Sequence, residues 1–449
     1  MMKIPKRIGH NIIVYVFLSL CFLCFSQYLG IRALNLLIVA VIIATACCAN
    51  VDDLFVVMYA TLPLYNLISY RAGSYSMHYI IIGIFIIKYF LHNKISLYKI
   101  MTFLILFTLR VFAADFVLLI SWSLLILPLI LTFDDAIWQR NFKRVVFWMN
   151  LTMLLSCIAG YIMMVTEKSI YTTAYLYISG VRTVRFAGVT GDSIVFGQTC
   201  VLIISLNLIC CFFKTNHKKF YIVSTILLAI ASLLSFSKMT LLCMCFVLIA
   251  FCILYAKEYV KDRKRLLKAF IFSGVIVAIV LALFIIIPNY SGNSAVLLGY
   301  IDRFTRDDLS TGRFSLWGTY LKMTVSKLHY LFVPLTSQEI STPIWNPSTG
   351  GYVSYVHNLY LETIAVFGWC AAITIFVWLF HRLYKYIALK NKIILMLPIL
   401  VLLFMGIGSH GNMEYQFYLQ LAIALACLQP AISKVLYKDS VRSIANAKS

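Results

Sequence analysis

Residues 193–213 read SIVFGQTCVLIISLNLICCFF, an uncharged segment that is long enough to cross the hydrocarbon core of a bilayer as one helix. Similar segments recur along the chain of 449 residues. Hydrophobic residues make up 62% of the chain and charged residues 12%, and the mean hydropathy is +0.92. Soluble domains have about 45–50% apolar and about 25% charged residues. The sequence therefore predicts an all-α integral membrane protein.

About fourteen hydrophobic runs approach the length of a membrane span. Several are short and closely joined, so the sequence allows twelve to fourteen transmembrane helices. They predict one polytopic membrane domain, residues 1–449, with outer loops at 166–192 and, much longer, at 289–355. The predicted spans are 11–29, 33–49, 54–69, 78–92, 98–113, 116–133, 145–164, 193–213, 219–236, 239–256, 269–288, 356–380, 393–409 and 414–433.

The distribution of basic residues predicts the orientation. The 38 lysines and arginines outnumber the 16 acidic residues and give a net charge of +22. With Lys3, Lys6 and Arg7 inside, most of the other basic residues fall in the even-numbered junctions, as the positive-inside rule requires. We therefore expect both termini to be cytoplasmic and the first run to be a retained helix, since no small-residue cleavage site follows it. The charge indicates anionic lipid as a partner and gives no indication of nucleic acid.

Cysteine usage and acidic residues limit the possible chemistry. All thirteen cysteines fall inside predicted spans, where cysteine behaves as a small hydrophobe. The outer loops contain none, so we expect neither a disulfide framework nor a thiolate metal site. The sequence has no HExxH or DxD motif and no carboxylate pair that suggests a two-acid hydrolase. The expectation is metal-independent chemistry with no cofactor.

The outer loops hold few cations, and these are candidates for binding phosphate. Arginine is expected at such a site because its planar guanidinium binds oxyanions with two hydrogen bonds and stays charged. The alternative is that these cations bind lipid headgroups or cap helices. The candidates are Arg182, Arg185, Arg303, Arg306 and Arg313, with Lys238 in a tight turn between two spans.

Four histidines, His78, His329, His357 and His410, are predicted at or near the outer side. A neutral imidazole accepts a proton near pH 7 and can therefore activate a hydroxyl group. His357 lies at the head of the predicted span 356–380, which would hold it on a rigid element. For the other three the preferred interpretation is an interfacial residue with no chemical role.

The large outer loop contains a predicted amphipathic helix. Apolar side chains recur at helical spacing within residues 311–325, which predicts a helix lying on the membrane surface. Its Trp317 could stack on a sugar ring, or belong to an interfacial belt of aromatic residues. The stripe consists of Phe314, Trp317, Leu321 and Val325.

Four short motifs occur in order on the predicted outer face. They are Arg185-x-x-Gly188, Ser235-x-Ser237-Lys238, Gly312-Arg313-x-x-x-Trp317 and His357-Asn358-x-Tyr360-Leu361. Over about residues 180–420, this order resembles the O-antigen ligase and polysaccharide polymerase family. Lys238 departs from the pattern, because many members have arginine there. The first 150 residues offer only hydropathy.

The resemblance implies a GT-C-like helical fold and an inverting glycosyltransferase in the bacterial cytoplasmic membrane. Its substrate would be an oligosaccharide on undecaprenyl pyrophosphate, presented at the outer leaflet. Arg185 and Arg313 would hold the pyrophosphate, and His357 would take the proton of the acceptor hydroxyl. Asn358 would orient His357 or a sugar hydroxyl. Further substrate contacts are expected from Arg182, Lys238, Arg303 and Trp317.

Several functions remain open at this point. Polymerisation of repeat units into O-antigen or capsule is favoured by the span count and the long outer loop, with a chain-length regulator and a flippase as expected partners. A ligase would instead transfer the glycan to the lipid A core of lipopolysaccharide. Outside this chemistry, the chain could be a flippase for lipid-linked sugars or a scaffold. Charges are nearly absent from the middle of the predicted spans, which disfavours a transporter.

Overall fold

A computed structural model of the chain fixes where its helices and strands begin and end. Arg303, Arg306 and His410 lie outside the residues that it describes, as does nearly all of the predicted span 269–288. The described residues are 6–65, 77–113, 116–166, 173–178, 181–235, 237–259, 267, 271, 274, 313–340, 342–346, 351–353, 357–389, 392–408 and 417–437.

Helices dominate the structure, and two short antiparallel β-hairpins occur in the segments predicted to be outer loops. The helices are α1 (Lys6–Leu29), α2 (Arg32–Cys48), α3 (Val51–Ala60), α4 (Met77–His92), α5 (Leu97–Ala113), α6 (Phe116–Thr132), α7 (Ala136–Val165), α8 (Ser193–Phe212), α9 (Lys218–Leu233), α10 (Lys238–Tyr259), α11 (Arg313–Val325), α12 (Ser337–Ile340), α13 (Leu359–Phe367), α14 (Trp369–Ala388), α15 (Leu397–Met405), α16 (Phe417–Cys427) and α17 (Pro430–Tyr437). The strands are β1 (Thr173–Ile178), β2 (Val181–Phe186), β3 (Ile344–Asn346) and β4 (Gly351–Val353), and 3-10 turns cover Leu62–Leu64, Leu328–Leu331 and Ile393–Met396.

The lengths and composition of these helices confirm an all-α integral membrane protein. Within the described ranges, four helical segments are long and apolar enough to cross a membrane, or five if α16 and α17 form one span. They are Ile12–Leu29, Ala136–Val165, Ser193–Phe212 and Lys238–Lys257. Shorter apolar helices, among them α2, α4 and α6, lie at other predicted spans.

Packing divides the chain into two compact units. Unit 1 comprises Met1–Lys94, Asp134–Gly299 and Gln429–Ser449, and unit 2 comprises Ile95–Phe133 and Tyr300–Leu428. Each unit carries two of the four sequence motifs.

A polar cluster joins three helices in the core of unit 1. The amides of Asn150 on α7 and Asn207 on α8 exchange two hydrogen bonds of 2.8 Å, and the Ser224 hydroxyl on α9 donates to Asn150 Oδ1 at 2.6 Å. All three side chains are fully buried. Because hydrocarbon offers no alternative partners, such bonds fix the register of neighbouring helices.

In unit 2, the predicted span 356–380 is not one helix, and this corrects the sequence-based interpretation. The chain folds back at Gly368, whose φ of +79° favours glycine. The rings of Tyr360 and Phe376, eight residues to either side, are consequently 5.4 Å apart, whereas a continuous helix would separate them by about 24 Å. α13 and α14 therefore form a helical hairpin.

The amphipathic helix predicted at 311–325 is present as α11, but its apolar stripe does not face the protein. Leu316, Tyr320 and Thr324 are buried, and the Tyr320 hydroxyl donates to Ile340 O at 3.0 Å. Phe314 and Val325 are 70% and 61% exposed. The exposed residues of the stripe can thus contact lipid, as expected for a helix at a membrane surface.

A capping box organises the short helix α12 that follows. Glu339 Oε2 accepts hydrogen bonds from the Thr336 amide and hydroxyl, and the Glu339 amide donates to Thr336 Oγ1. Partial burial raises the pKa of Glu339, but hydrogen bonds from Tyr330 and Thr336, with Lys327 nearby, outweigh it and lower the pKa. The carboxylate therefore serves the structure of the loop.

Replacing Asn207 with leucine should destabilise unit 1 by about 1–2 kcal/mol, because the two hydrogen bonds between Asn150 and Asn207 would be lost in the core. The measurement is the Tm of the purified protein in detergent. Ser205→Ala is the control, since Ser205 is equally buried but bonds only to Leu202 O on its own helix. Equal Tm values for the two variants would contradict a stabilising role of the cluster.

Candidate functional site

In unit 1, the first two motifs meet where β2 packs against the junction of α9 and α10. β1 and β2 pair so that Arg185 lies opposite Ala174 and Arg182 opposite Tyr177. The half-buried Arg185 donates from Nε to Ser235 O at 3.0 Å, and the next amide, of Phe186, donates to Leu234 O at 2.9 Å. The end of β2 is therefore fixed to the α9–α10 junction, with the Arg185 guanidinium beside it.

Lys238 lies on the same junction. It is the first residue of α10, three positions after Ser235, and is partly exposed. The Ser237 hydroxyl accepts a hydrogen bond from the Thr240 amide at 3.3 Å, which caps this helix start. Arg185 and Lys238, which are 53 positions apart in the sequence, thus both lie at the junction of α9 and α10.

The Arg-x-x-Gly spacing has a structural cause in unit 1. Gly188 has φ +55°, and a Cβ there would lie 2.6 Å from the Phe196 ring and 2.7 Å from Ser156 Oγ. Asp192 then caps α8, because its Oδ1 accepts from the amides of Ile194 and Val195 at 2.7 and 3.2 Å. This carboxylate serves as a helix cap, while the glycine lets the chain turn tightly from β2 into α8.

In unit 2, the other two motifs meet at the end of α15. Arg313, the first residue of α11, donates from Nη1 to Gly408 O at 2.9 Å. Asn358 Nδ2 donates to Ile407 O at 3.2 Å, and the Leu359 amide donates to Gly406 O at 2.8 Å. Three consecutive carbonyl groups therefore bind both motifs.

His357 has a backbone conformation that its side chain disfavours. Its φ is +51°, in the left-handed region, and it is partly exposed. Such a conformation costs about 1–2 kcal/mol in a residue other than glycine, and it persists only where the surrounding structure imposes it. Asn358 follows as the N-cap of α13, and its Oδ1 accepts from the amides of Tyr360 and Leu361 at 3.0 and 3.1 Å. The imidazole thus sits at the start of a capped helix.

A layer of buried polar groups in unit 2 was not singled out from the sequence. Arg110 on α5 and Glu362 on α13 are 1% and 4% exposed, and both interact electrostatically with the Tyr418 hydroxyl. This hydroxyl accepts a hydrogen bond from Trp122 Nε1 at 2.7 Å. Arg110 looks like an interfacial anchor at a helix end, so only its burial distinguishes it.

The other residues predicted from the sequence lie at separate positions. Trp317 is partly exposed on α11, one turn after Arg313, and its ring contacts Phe314 at a centroid distance of 5.2 Å. His78 is fully buried with Nδ1 3.0 Å from Thr61 Oγ1, and His329 is exposed against the Tyr330 ring. Among the described residues, no group of three His, Cys, Asp or Glu could hold a metal ion.

Unit 2 also contains an apolar cavity of about 360 Å³. Both arms of the α13–α14 hairpin line it, with Leu359 and Thr363 from one arm and Phe376 and Trp378 from the other. Lys99 is among the few polar residues at its wall, and its Nζ donates to Leu131 O at 2.6 Å. Leu359, two positions after His357 in the sequence, is therefore one of the residues that line the cavity.

Residues 223–376 match the family model described as O-antigen ligase. The matched range contains the motifs around Lys238, Arg313 and His357, whereas Arg185 precedes it. The match confirms the resemblance to the O-antigen ligase and polymerase family. Comparisons with curated proteins and with solved structures gave no match.

Proposed function

We propose that this relative of the O-antigen ligases polymerises oligosaccharide repeat units carried on undecaprenyl pyrophosphate. The observation that carries the proposal is that Arg313 and the two residues after His357, Asn358 and Leu359, all bond to one backbone turn, Gly406–Gly408. A guanidinium can bind a pyrophosphate with two hydrogen bonds, and an imidazole can accept the proton that a reacting hydroxyl loses. The reaction takes place at the outer leaflet of the bacterial cytoplasmic membrane, in a GT-C-like fold with both termini in the cytoplasm.

The proposed reaction is an inverting displacement that needs no metal ion. The acceptor hydroxyl attacks the anomeric carbon of the donor, and its proton passes to His357. The bond between that carbon and the pyrophosphate oxygen breaks, and undecaprenyl pyrophosphate leaves. Arg313 and Arg185 offset the charge that develops on the leaving group.

The remaining candidates assist substrate binding on this proposal. Arg182, Lys238 and Arg303 add positive charge for the pyrophosphate, and Trp317 offers a ring for a sugar face. Asn358 bonds to backbone through both ends of its amide, so its contribution is to hold the start of α13.

Ligase activity is the second candidate, favoured by the description of the matching family. The two reactions differ in the acceptor: a polymerase uses another lipid-linked unit, which would become O-antigen or capsule, and a ligase uses lipid A core. A chain-length regulator and a flippase would be the partners of a polymerase. No match to a family of flippases supports the third alternative, a flippase for lipid-linked sugars.

A glycan ladder from cells that lack the gene separates these functions. We expect single repeat units without the gene and a full ladder when the wild-type gene is returned. Full-length chains left on the carrier lipid would indicate a ligase. Units that remain at the cytoplasmic leaflet would indicate a flippase.

Arg313→Ala should lower the transfer rate by about 100-fold or more, because a donor that offsets developing charge is lost. The assay uses purified protein and lipid-linked donor in vesicles. Lys322→Ala is the matched control, since Lys322 is an exposed cation on the same helix, and its rate should stay near wild type. Wild-type transfer by Arg313→Ala would exclude the phosphate-binding role.

His357→Gly should lower transfer by at least about 100-fold without loss of folded protein. Glycine adopts a φ near +51° freely, so the backbone should keep its conformation. Added imidazole should restore part of the rate, while His329→Ala, an exposed outer histidine, should behave like wild type. Undiminished transfer by His357→Gly would show that another group is the base.

A further inference from the structure

The turn after α15 binds the start of α13 through several adjacent groups. Gly406 O accepts from the Leu359 amide at 2.8 Å, and Ile407 O accepts from Asn358 Nδ2 at 3.2 Å. One turn earlier on α15, Leu403 O accepts from the Tyr360 hydroxyl at 2.6 Å. Three successive residues after His357 are therefore anchored to one helix end.

Gly406 is needed there for space and not for backbone conformation. Its φ and ψ are −58° and −20°, which any residue adopts. A Cβ at this position would lie 2.7 Å from Leu359 Cδ2 and 3.0 Å from Leu359 Cβ. The Leu359 Cδ2 atom can rotate away, but Leu359 Cβ is fixed to the backbone, so a side chain at 406 would require the first residue of α13 to shift by a few tenths of an ångström.

A displacement of Leu359 would change the backbone angles of His357. A residue held in the left-handed region keeps that conformation only while the surrounding structure imposes it. The residues on its C-terminal side, Asn358 and Leu359, are held by the turn, so the turn helps to impose the backbone angles of His357. The direction of the imidazole depends on those angles.

We infer that Gly406 is a positioning residue, which sets the place of the His357 imidazole by letting α13 dock against the end of α15. This inference rests on the proposed function, in which His357 accepts the proton of the acceptor hydroxyl. It extends the site to a segment beyond the matched residues 223–376.

Gly406→Ala tests the inference, with Gly318→Ala as the control. An added Cβ at Gly318, on α11, meets no atom within 4 Å. We expect kcat to fall by about 10-fold in Gly406→Ala with KM little changed, because a misplacement of about 1 Å can cost about 100-fold and a smaller shift costs less. Gly318→Ala should retain the wild-type kcat. A wild-type kcat in Gly406→Ala would overturn the inference.

Combining the change with His357→Gly separates positioning from a general structural effect. If Gly406 acts through His357, Gly406→Ala should add less than about threefold to the loss in His357→Gly assayed with imidazole. An equal loss in both backgrounds would overturn the inference. Leu359→Ala removes the nearest clashing atom, so the double variant Leu359→Ala/Gly406→Ala should recover much of the rate relative to Gly406→Ala.

Asn358→Asp probes the same turn if Gly406→Ala does not fold. Aspartate keeps an oxygen for capping α13 but loses the donor to Ile407 O. Its loss of kcat should likewise vanish in the His357→Gly background with imidazole, and a persistent loss would count against the inference. If His357→Gly alone retains full activity, the proposed function fails first, and this outcome differs from a normal kcat in Gly406→Ala.

Discussion

The hydrogen bonds between the start of α13 and the carbonyl groups at the end of α15 are the constraint on which the site in unit 2 depends. The last carbonyls of a helix have no partner within it, and inside a membrane protein they must find one. Here the donors come from the two motifs proposed to carry the chemistry, through Arg313 and Asn358, and from the Leu359 backbone. The need to pair the last carbonyl groups of a helix therefore also brings these two motifs together.

Unit 1 holds its candidate residues in a different way. Its candidate cations are held by a β-hairpin and by the junction between two helices, with Arg185 bonded to Ser235 O. Unit 2 uses helix ends. In both units a glycine near the candidate residues leaves little room for a Cβ, which would meet Phe196 and Ser156 at Gly188 and Leu359 at Gly406.

Hydropathy and motif order predicted much of this arrangement, and their failures have physical causes. The class of fold and α11 follow from composition and helical spacing. The fold-back at Gly368 does not, because GWCAAITIF continues an apolar run and hydropathy carries no information on φ. The strands of the hairpin, TAYLYI and VRTVRF, are rich in β-branched and aromatic residues, a composition in the sequence that favours strands. Arg110 and Gly406 stand in no motif, so burial and close contact, which only the structure provides, were needed to find them.

The hairpin of α13 and α14 restricts how the chain length can vary around the site. α13 has nine residues, and its Tyr360 ring contacts the Phe376 ring of α14. Each of these two residues is eight positions from Gly368. One inserted residue between His357 and Gly368 would rotate the imidazole by about 100° and shift it by about 1.5 Å. Insertions and deletions between His357 and Gly368 should therefore be excluded, because either would turn the imidazole away from its place at the start of α13.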